Sequence, residues 1–252
     1  MGVPITTGND VVVLENAAYA VGFSRTTRTP LWAAYRLFEV DESVEQPRPN
    51  VKFDSDDRIG IPDLVHDSYT NAGYDRGHMV PSSPIGRCYG EDPQLETFMV
   101  SNICPQHPGC NQRAWERFEH RESHDYAAWF DVIWVVAGPI FDADVPCEEL
   151  LSDVRIPNGF YKIVVAEIEG EWEALAIVMP NARTNDSRIR DYVKSVNEIE
   201  ARVDIDFFRE LPDDVEERLE SDSSPHPEWA IGYELRPVFP GAARTISKRP
   251  CD

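Results

Sequence analysis

Apolar residues fall into short runs of strand length in both halves of the chain, and this pattern constrains the fold most. The runs lie at residues 11–14, 18–23, 32–40, 132–137, 160–168 and 172–179. Only Glu169-Gly170-Glu171 separates the last two runs, which predicts a β-hairpin. No apolar stretch approaches the roughly 20 residues that a helix needs to cross a bilayer.

Helical patterns are fewer than strand patterns. Apolar side chains recur at helical spacing over residues 115–130, over 186–202, and over 212–219, where a proline stands near the first turn. Strands and helices do not alternate in a strict βαβ order. We therefore expect an α+β fold with a mixed or antiparallel sheet core flanked by helices.

The length of 252 residues suits one domain with a full hydrophobic core. We expect that core over about residues 11–220, with an acidic loop at 41–60 and a C-terminal extension at 221–252. The first ten residues have no basic start and no apolar stretch, so no signal peptide is expected. The expected location is the cytoplasm, or outside it (secreted or periplasmic) if an export signal is missing from the sequence. The oligomeric state is open, with a homodimer among the alternatives.

The charge balance is strongly acidic. The formal net charge is -21, and only four of the 24 basic residues are lysine. A broad surface for nucleic acid would have the opposite balance. One explanation is adaptation to high salt, and the other is an ordinary acidic protein with a locally positive cleft. The arginines proposed for that cleft are Arg76, Arg87, Arg113, Arg117 and Arg121.

The chain has five cysteines, an odd number that cannot pair completely within one chain. Cys104 and Cys110 are close enough in sequence to form a small disulfide loop or half of a metal site. No CxxC pair is present, so buried thiols are the simpler expectation.

Residues 74–79 hold a first cluster with catalytic chemistry. Imidazole titrates near neutral pH, so His78 suits the base that deprotonates water in phosphodiester hydrolysis. Arg76 supplies a cation for a phosphate, and Gly77 would bend the backbone so that both side chains reach one cleft. The alternative for a single histidine is a surface or core position.

A second cluster lies at Asn111, Trp115 and Glu119. At 100° per residue these positions share one stripe of a helix, so Asn111 and Glu119 would face the same space. Amide and carboxylate oxygens suit Mg²⁺, which takes few protein ligands. The alternative is an ordinary amphipathic helix with Asn111 as its N-cap.

Together these motifs resemble the DNA/RNA non-specific endonuclease family, which includes mitochondrial endonuclease G and bacterial nucleases. Residues 75–78 (DRGH) resemble its signature, and 101–106 (SNICPQ), followed by the second cluster, resemble its next motif at the family's spacing. Similarity continues at residues 137–140, 156–162, 179–181 and 192–208, so it covers about residues 15–220. The resemblance implies the ββα-metal, or His-Me finger, active site.

The resemblance also implies an activity and residue roles. The activity is Mg²⁺-dependent hydrolysis of DNA and RNA, with Mn²⁺ as a substitute metal. His78 would be the general base, Asn111 the direct ligand of one Mg²⁺, and Glu119 would hold a metal-bound water. Arg76 would neutralise the phosphate in the transition state. Asn102 would position the His78 region or the scissile phosphate.

The arginines of this chain depart from the family pattern. Many members carry an arginine one helical turn after the glutamate, where this chain has Ser123. Arg117 and Arg121 lie nearby in sequence but on another helical face. The loss implies a slower enzyme or a narrower substrate range. The substrate-binding residues expected from the pattern are Arg48, Arg76, Arg113 and Arg121.

Other functions remain open at this stage. One alternative is a catalytically weakened nucleic-acid-binding or inhibitory module that keeps the scaffold, but the intact set of His78, Asn111 and Glu119 argues against it. A second alternative is hydrolysis of another phosphoester, such as a nucleotide or a phospholipid, which only substrate assays separate. An interaction protein with chance matches would require several ordered motifs to coincide.

Overall fold

The computed structural model describes residues 4–6, 10–41, 43–44, 46–150, 152–184 and 188–231. Its strands are β1 (Ile5–Thr6), β2 (Val11–Glu15), β3 (Tyr19–Ser24), β4 (Thr29–Phe38), β5 (Asp75–His78), β6 (Ile103–Gln106), β7 (Val132–Ile140), β8 (Gly159–Ile168), β9 (Glu171–Pro180), β10 (Val193–Lys194) and β11 (Ile205–Asp206). Seven strands form an antiparallel sheet in the order β10-β9-β8-β7-β4-β3-β2. Two small pairs, β5–β6 and β1–β11, stand apart from it.

The helices flank this sheet. They are α1 (Ser82–Tyr89), α2 (Glu91–Glu96), α3 (Pro108–Cys110), α4 (Glu116–Arg121), α5 (Ala127–Trp129), α6 (Val196–Val203) and α7 (Asp213–Ser221). Two π-helical turns, Asn111–Trp115 and Glu122–Tyr126, join α3, α4 and α5 into one helical run, 108–129, which we call the site helix. The predicted α+β architecture is confirmed.

The core lies on both faces of the central sheet. Neighbouring residues of β8 point to opposite faces, as the pleat requires. Phe160 packs against Trp115 of the site helix, with ring centroids 5.6 Å apart, and Tyr161 packs against Phe207 on the other face, at 5.4 Å. Because helices or loops cover both faces, β8 reads in the sequence as a nearly continuous apolar run rather than an alternating one.

The predicted hairpin at Glu169-Gly170-Glu171 is confirmed. Strands β8 and β9 pair from Gly159 to Ile168, and the turn residues Glu169 and Gly170 both have positive φ, 55° and 87°. Two consecutive positive φ angles are typical of the turn whose twist matches that of the strands it joins.

Both ends of the site helix are fastened to the rest of the protein. At the start, the backbone N–H of His107 donates to Oδ1 of Asn181 over 2.7 Å. At the end, the ring of Trp229 lies 5.0 Å from that of Tyr126, and the carbonyl of Ala230 accepts from Arg121 over 2.9 Å. The helix is therefore held at two points that are far apart in sequence.

Two boundaries differ from those predicted. The helix expected at 186–202 is the shorter α6, because Ser195 caps it together with Glu198 in a reciprocal capping box; Asp186 itself lies outside the described residues. The packed chain also extends beyond the predicted core of 11–220, since β1 pairs with β11 and Trp229 is fully buried. Residues 232–252 lie outside the described part.

Two further expectations concern the cysteines and membranes. The thiols of Cys88, Cys104, Cys110 and Cys147 are free, so Cys104 and Cys110 form no disulfide, and both are buried. Cys251 is outside the described residues.

Within the described ranges, no helix has the length and apolar character needed to cross a bilayer.

Candidate active site

A cavity of about 470 Å³ lies between β5, α1 and the site helix. Five of the residues predicted for the site line it together: Arg48, Arg76, His78, Asn111 and Glu119. Its other lining residues include Phe53, Asp75, Ser82, Ser83, Arg87, Gln112, Glu116, His120, Ser123 and His124. The two sequence clusters, separated by more than 30 positions, therefore meet in space.

Strand β5 carries Arg76 and His78, two residues apart and thus on one face of the strand. Gly77 does not form the turn that we expected. It pairs with Cys104 inside the β5–β6 ladder, and a Cβ there would lie 2.3 Å from Oε1 of Gln106. The glycine is required because the Gln106 side chain packs directly on its backbone, not because the chain bends.

His78 is enclosed by two aromatic rings. Its centroid lies 5.2 Å from that of Phe53 and 5.2 Å from that of Phe98. Burial lowers the pKa of His78 to about 3, and the nearby cation of Arg48 adds to this. The imidazole is thus uncharged at neutral pH, and its Nε2 has no hydrogen-bond partner.

Asn111 lies inside the site helix rather than at its start. His107 is the N-cap, since its Nδ1 accepts from the backbone N–H of Gly109, so the N-cap alternative for Asn111 is wrong. Nδ2 of Asn111 donates to Oδ2 of Asp75 over 2.9 Å, and Gln112 donates to the same oxygen over 2.8 Å. This contact directs the amide nitrogen to Asp75 and leaves the amide oxygen available to the cavity.

The predicted stripe of Asn111, Trp115 and Glu119 is divided. Asn111 and Glu119 line the cavity, whereas Trp115 is 1 % exposed and packs into the core. A π turn takes more residues than an α turn, so the one at Asn111–Trp115 shifts the spacing away from 100° per residue. Such π-helical turns are frequent at functional sites.

Glu119 is a buried carboxylate beside the cavity. Burial raises the pKa of Glu119 to about 7; Lys162 opposes this rise, while Glu122 and Glu116 add to it. Oε1 of Glu119 lies 3.6 Å from Nζ of Lys162 and has no hydrogen-bond partner. A carboxylate in this state is stabilised by any cation that enters the cavity.

Sequence reasoning missed the ionic network behind Glu119. Nζ of Lys162, fully buried on β8, lies 2.9 Å from Oε2 of Glu122 and 3.3 Å from the hydroxyl of Tyr35. Nζ also sits 4.6 Å from the ring centroid of Trp115. A lysine in the middle of an apolar strand was the signal that could have indicated a buried partner.

Asn102 is buried and does not line the cavity. Its Oδ1 accepts from the N–H of Val80 over 2.9 Å, and its Nδ2 donates to the carbonyls of Val80 and Thr97, each over 3.0 Å. Of the two roles expected for Asn102, this placement fits the holding of the segment that follows His78 and not a contact with phosphate.

The arginines divide into two groups. Arg48 and Arg76 line the cavity. Arg76 donates to the carbonyl of His66 over 3.0 Å, and the Arg48 guanidinium lies 5.4 Å from the Phe98 ring centroid.

Arg121 was expected at the substrate, but it is 6 % exposed and packs over Tyr126 and Trp129. Arg113 and Arg117 do not line the cavity either. Arg87, one of the arginines proposed for a locally positive cleft, does.

The donor set fits a hard divalent cation with few protein ligands. Asn111 offers a neutral amide oxygen, and Asp75, Glu116 and Glu119 bring carboxylates to the same cavity. No group of three His, Cys, Asp or Glu side chains arranged to bind a metal occurs in the described part of the chain.

Comparison with known proteins gives the same assignment. The model of the DNA/RNA non-specific endonuclease family matches residues 1–214. The chain is 28% identical over 209 residues to the mitochondrial nuclease EXOG of Danio rerio, covering 77% of this chain and 60% of that one. It is 25% identical over 224 residues to a nuclease of Nostoc sp., covering 85% and 79%. The chain thus spans less than two thirds of the EXOG relative.

A solved structure shares the fold. It is titled as the EndoG/EndoGI complex, on the mechanism of EndoG inhibition, and it superposes with a TM-score of 0.71 at 26% identity. The superposition covers 79% of this chain and 86% of the other. The expected ββα-metal arrangement is confirmed, with β5, β6 and the site helix as its parts. On these grounds the chain belongs to the DNA/RNA non-specific endonuclease family.

Proposed function

We propose that the chain hydrolyses phosphodiester bonds in DNA and RNA, with one Mg²⁺ as its metal and Mn²⁺ as a substitute. One observation carries the proposal: the imidazole of His78, whose Nε2 has no partner, lines the same cavity as the oxygen-bearing side chains of Asn111 and Glu119 on the facing helix. Hydrolysis needs a base and a cation on opposite sides of a phosphate, and the cavity supplies groups for both.

His78 acts as the base. Its uncharged ring accepts the proton of a water molecule, which then attacks phosphorus in line with the leaving oxygen. Phe53 and Phe98 pack on either side of the ring, and this burial lowers the pKa of His78 so that it stays uncharged. Asn102 fixes the backbone at Val80, two residues beyond His78, so that the base keeps its position relative to the phosphate.

The cations of the cavity act on the phosphate. Arg76, held by the carbonyl of His66 and the hydroxyl of Thr70, faces the phosphate with a fixed guanidinium and stabilises the charge that develops on its oxygens. Arg48 contributes a second positive charge beside His78. Because Nε and Nη2 of Arg76 already donate to His66 and Thr70, Nη1 is the nitrogen left to donate to a phosphate oxygen.

Asn111 would hold the metal directly through its amide oxygen, and Glu119 would hold it through a water molecule. A metal held there would supply positive charge for the leaving oxygen and a water acidic enough to serve as its proton donor. The lining carries three arginines and three acidic residues, so the protein alone adds little net positive charge. The charge balance is therefore one reason to expect dependence on a metal.

The rival function, binding without hydrolysis, is less well supported. A pure binder gains nothing from a desolvated histidine, because a buried imidazole that stays uncharged does not attract phosphate. The net charge of -21 also opposes non-specific binding, which depends mainly on phosphate charge. A smaller phosphoester remains a substrate alternative that the assay below separates.

The test is cleavage of plasmid DNA and of RNA by the purified full chain with Mg²⁺, Mn²⁺ or EDTA. We expect cutting of both substrates with either metal and none with EDTA. His78→Ala should lower the rate by about 10²–10⁴-fold while Mg²⁺ binding persists. Asn111→Ala should weaken Mg²⁺ binding more than Glu119→Ala, as measured by calorimetry. His78→Ala activity within a few-fold of wild type would exclude the mechanism, and hydrolysis of only mononucleotide or phospholipid esters would exclude the substrate class.

A further inference from the structure

The chemistry proposed above uses only one part of the cavity. His78, Asn111 and Glu119 lie where β5 faces the site helix, and the wall formed by α1 has no role in that mechanism. Ser82, Ser83 and Arg87 of α1 nevertheless line the same space. An unused polar wall beside a nuclease centre suggests a second contact with the substrate.

The N-terminus of α1 opens into the cavity without a cap. Pro81 precedes the helix and offers no side-chain hydrogen bond to the first turn. The N–H groups of Ser82 and Ser83 therefore remain available there, at the positive end of the helix dipole. Helix starts of this kind bind phosphate groups.

An independent observation points to a ligand at this position. Ser82 is 6 % exposed, and its Oγ is buried without a hydrogen-bond partner. A buried hydroxyl with no partner costs free energy unless a ligand or a water bonds to it. Since Ser82 lines the cavity, a phosphate oxygen is a suitable partner.

Arg87 adds a full positive charge to the same wall. It follows Ser83 by four residues, so both side chains share one face of α1, about 6 Å apart along the helix axis. Nη1 of Arg87 donates to Nε2 of His124 across the cavity. Arginine can only donate, so His124 accepts at Nε2 and carries its hydrogen on Nδ1, which lies 3.0 Å from the carbonyl of His120.

This contact places the Arg87 guanidinium against the part of the site helix that holds Ser123. Ser123 also lines the cavity, and it stands where the family resemblance led us to expect an arginine. Arg117 and Arg121, the arginines near Ser123 in sequence, do not line it. The cation at this end of the cavity therefore comes from the opposite wall.

We propose that Ser82, the uncapped start of α1 and Arg87 form a second phosphate subsite, which binds the phosphate next to the scissile one on the same strand. The inference rests on the proposed function, because its ligand is a second anion of a polynucleotide. A nucleic-acid strand repeats an anionic group at every nucleotide, so a strand whose scissile phosphate lies at His78 brings its neighbour along this wall. The subsite would favour strands over single phosphodiesters.

The first test compares two substrates: a dinucleotide, which has one phosphodiester and no neighbour, and a short single-stranded oligonucleotide. Arg87→Ala in the full chain should lower kcat/KM for the oligonucleotide by about 10- to 100-fold, and by a smaller factor for the dinucleotide. Ser82→Ala should also lower the ratio of kcat/KM for the oligonucleotide to kcat/KM for the dinucleotide, but by less. Arg218→Ala removes a cation from α7, outside the cavity, and should leave the ratio unchanged.

The second test measures binding without cleavage. Anisotropy of a labelled oligonucleotide in EDTA should show a salt dependence that is shallower by about 0.7 in log–log slope for Arg87→Ala than for wild type. Equal loss on both substrates, or an unchanged slope, would overturn the subsite. If the wild type cleaves neither substrate with Mg²⁺ or Mn²⁺, the proposed function fails, and the binding measurement still decides whether the subsite exists.

Discussion

The amide of Asn111 is oriented by Asp75, whose Oδ2 accepts from Nδ2 over 2.9 Å. Asp75 comes from β5 and Asn111 from the site helix, so a single hydrogen bond links the strand of the base to the helix of the metal ligands. An amide can rotate to present either its nitrogen or its oxygen, and this bond selects the oxygen for the cavity.

Asp75→Ala should therefore weaken Mg²⁺ binding although Asp75 is not a proposed ligand. Loss of a residue that orients a ligand typically costs about 10–100-fold in metal affinity. Titration calorimetry measures the change. Gln112→Ala is the matched control, because Gln112 donates to the same carboxylate oxygen but orients no ligand. Unchanged affinity in Asp75→Ala, or an equal loss in the control, would contradict the orienting role.

Lys162→Met should destabilise the fold and should also leave the Glu119 side chain less firmly positioned. The change leaves the buried carboxylate of Glu122 without its cation, and breaking a buried pair costs about 3–5 kcal/mol. Urea unfolding measures the stability, and calorimetry measures the Mg²⁺ affinity. The control is Lys194→Met, whose partner Glu198 is exposed, and it should cost at most about 0.5 kcal/mol. A similar small cost in both variants would show that the buried network is not required.

The pKa of His78 predicts how the stability of the fold responds to acid. Because the folded pKa is about 3 and the ordinary value is 6.5, the unfolded chain binds more protons between these limits. The contribution of His78 to stability therefore falls as the pH drops below 6.5.

His78→Asn removes this pH-dependent contribution to the free energy of unfolding. Relative to wild type, the variant should gain about 2 kcal/mol on going from pH 7.5 to pH 5, as urea unfolding at each pH would measure. His226→Asn changes a histidine outside the cavity and serves as the control. A difference between wild type and His78→Asn that does not vary with pH would mean that His78 is not buried in solution.

Salt should raise both the activity and the melting temperature. The net charge of -21 repels a polyanion and strains the fold at low ionic strength, and molar salt shortens the screening length to about 3 Å. Salt also competes with arginine for phosphate, which acts in the opposite direction. Cleavage rates and metal-free melting curves over a salt series separate the two effects. Cleavage that falls steadily from about 50 mM upward, with the fold intact, would favour the ordinary acidic protein with a local cleft.

Local sequence patterns predicted most of the strands because period-two and continuous apolar runs report burial directly. The resemblance to the endonuclease family, rather than the local patterns, implied that Arg76, His78, Asn111 and Glu119 belong to one site. The position of Trp115 was wrong because π turns change the helical spacing without a sequence signature. Arg121 was misplaced since its hydrogen-bond partner, the carbonyl of Ala230, is distant in sequence. Glu122 was missed for the same reason, since its partner Lys162 lies on β8.

The fastening of the site helix at Asn181 and at Trp229 has a thermodynamic consequence. Asn111 and Glu119 project from one segment whose two ends are both tied down, so their separation is set before any ligand arrives. Binding of a cation then requires no folding of the helix and buries no further apolar surface. Since apolar burial is the main source of a negative heat-capacity change on binding, that change should be close to zero for Mg²⁺.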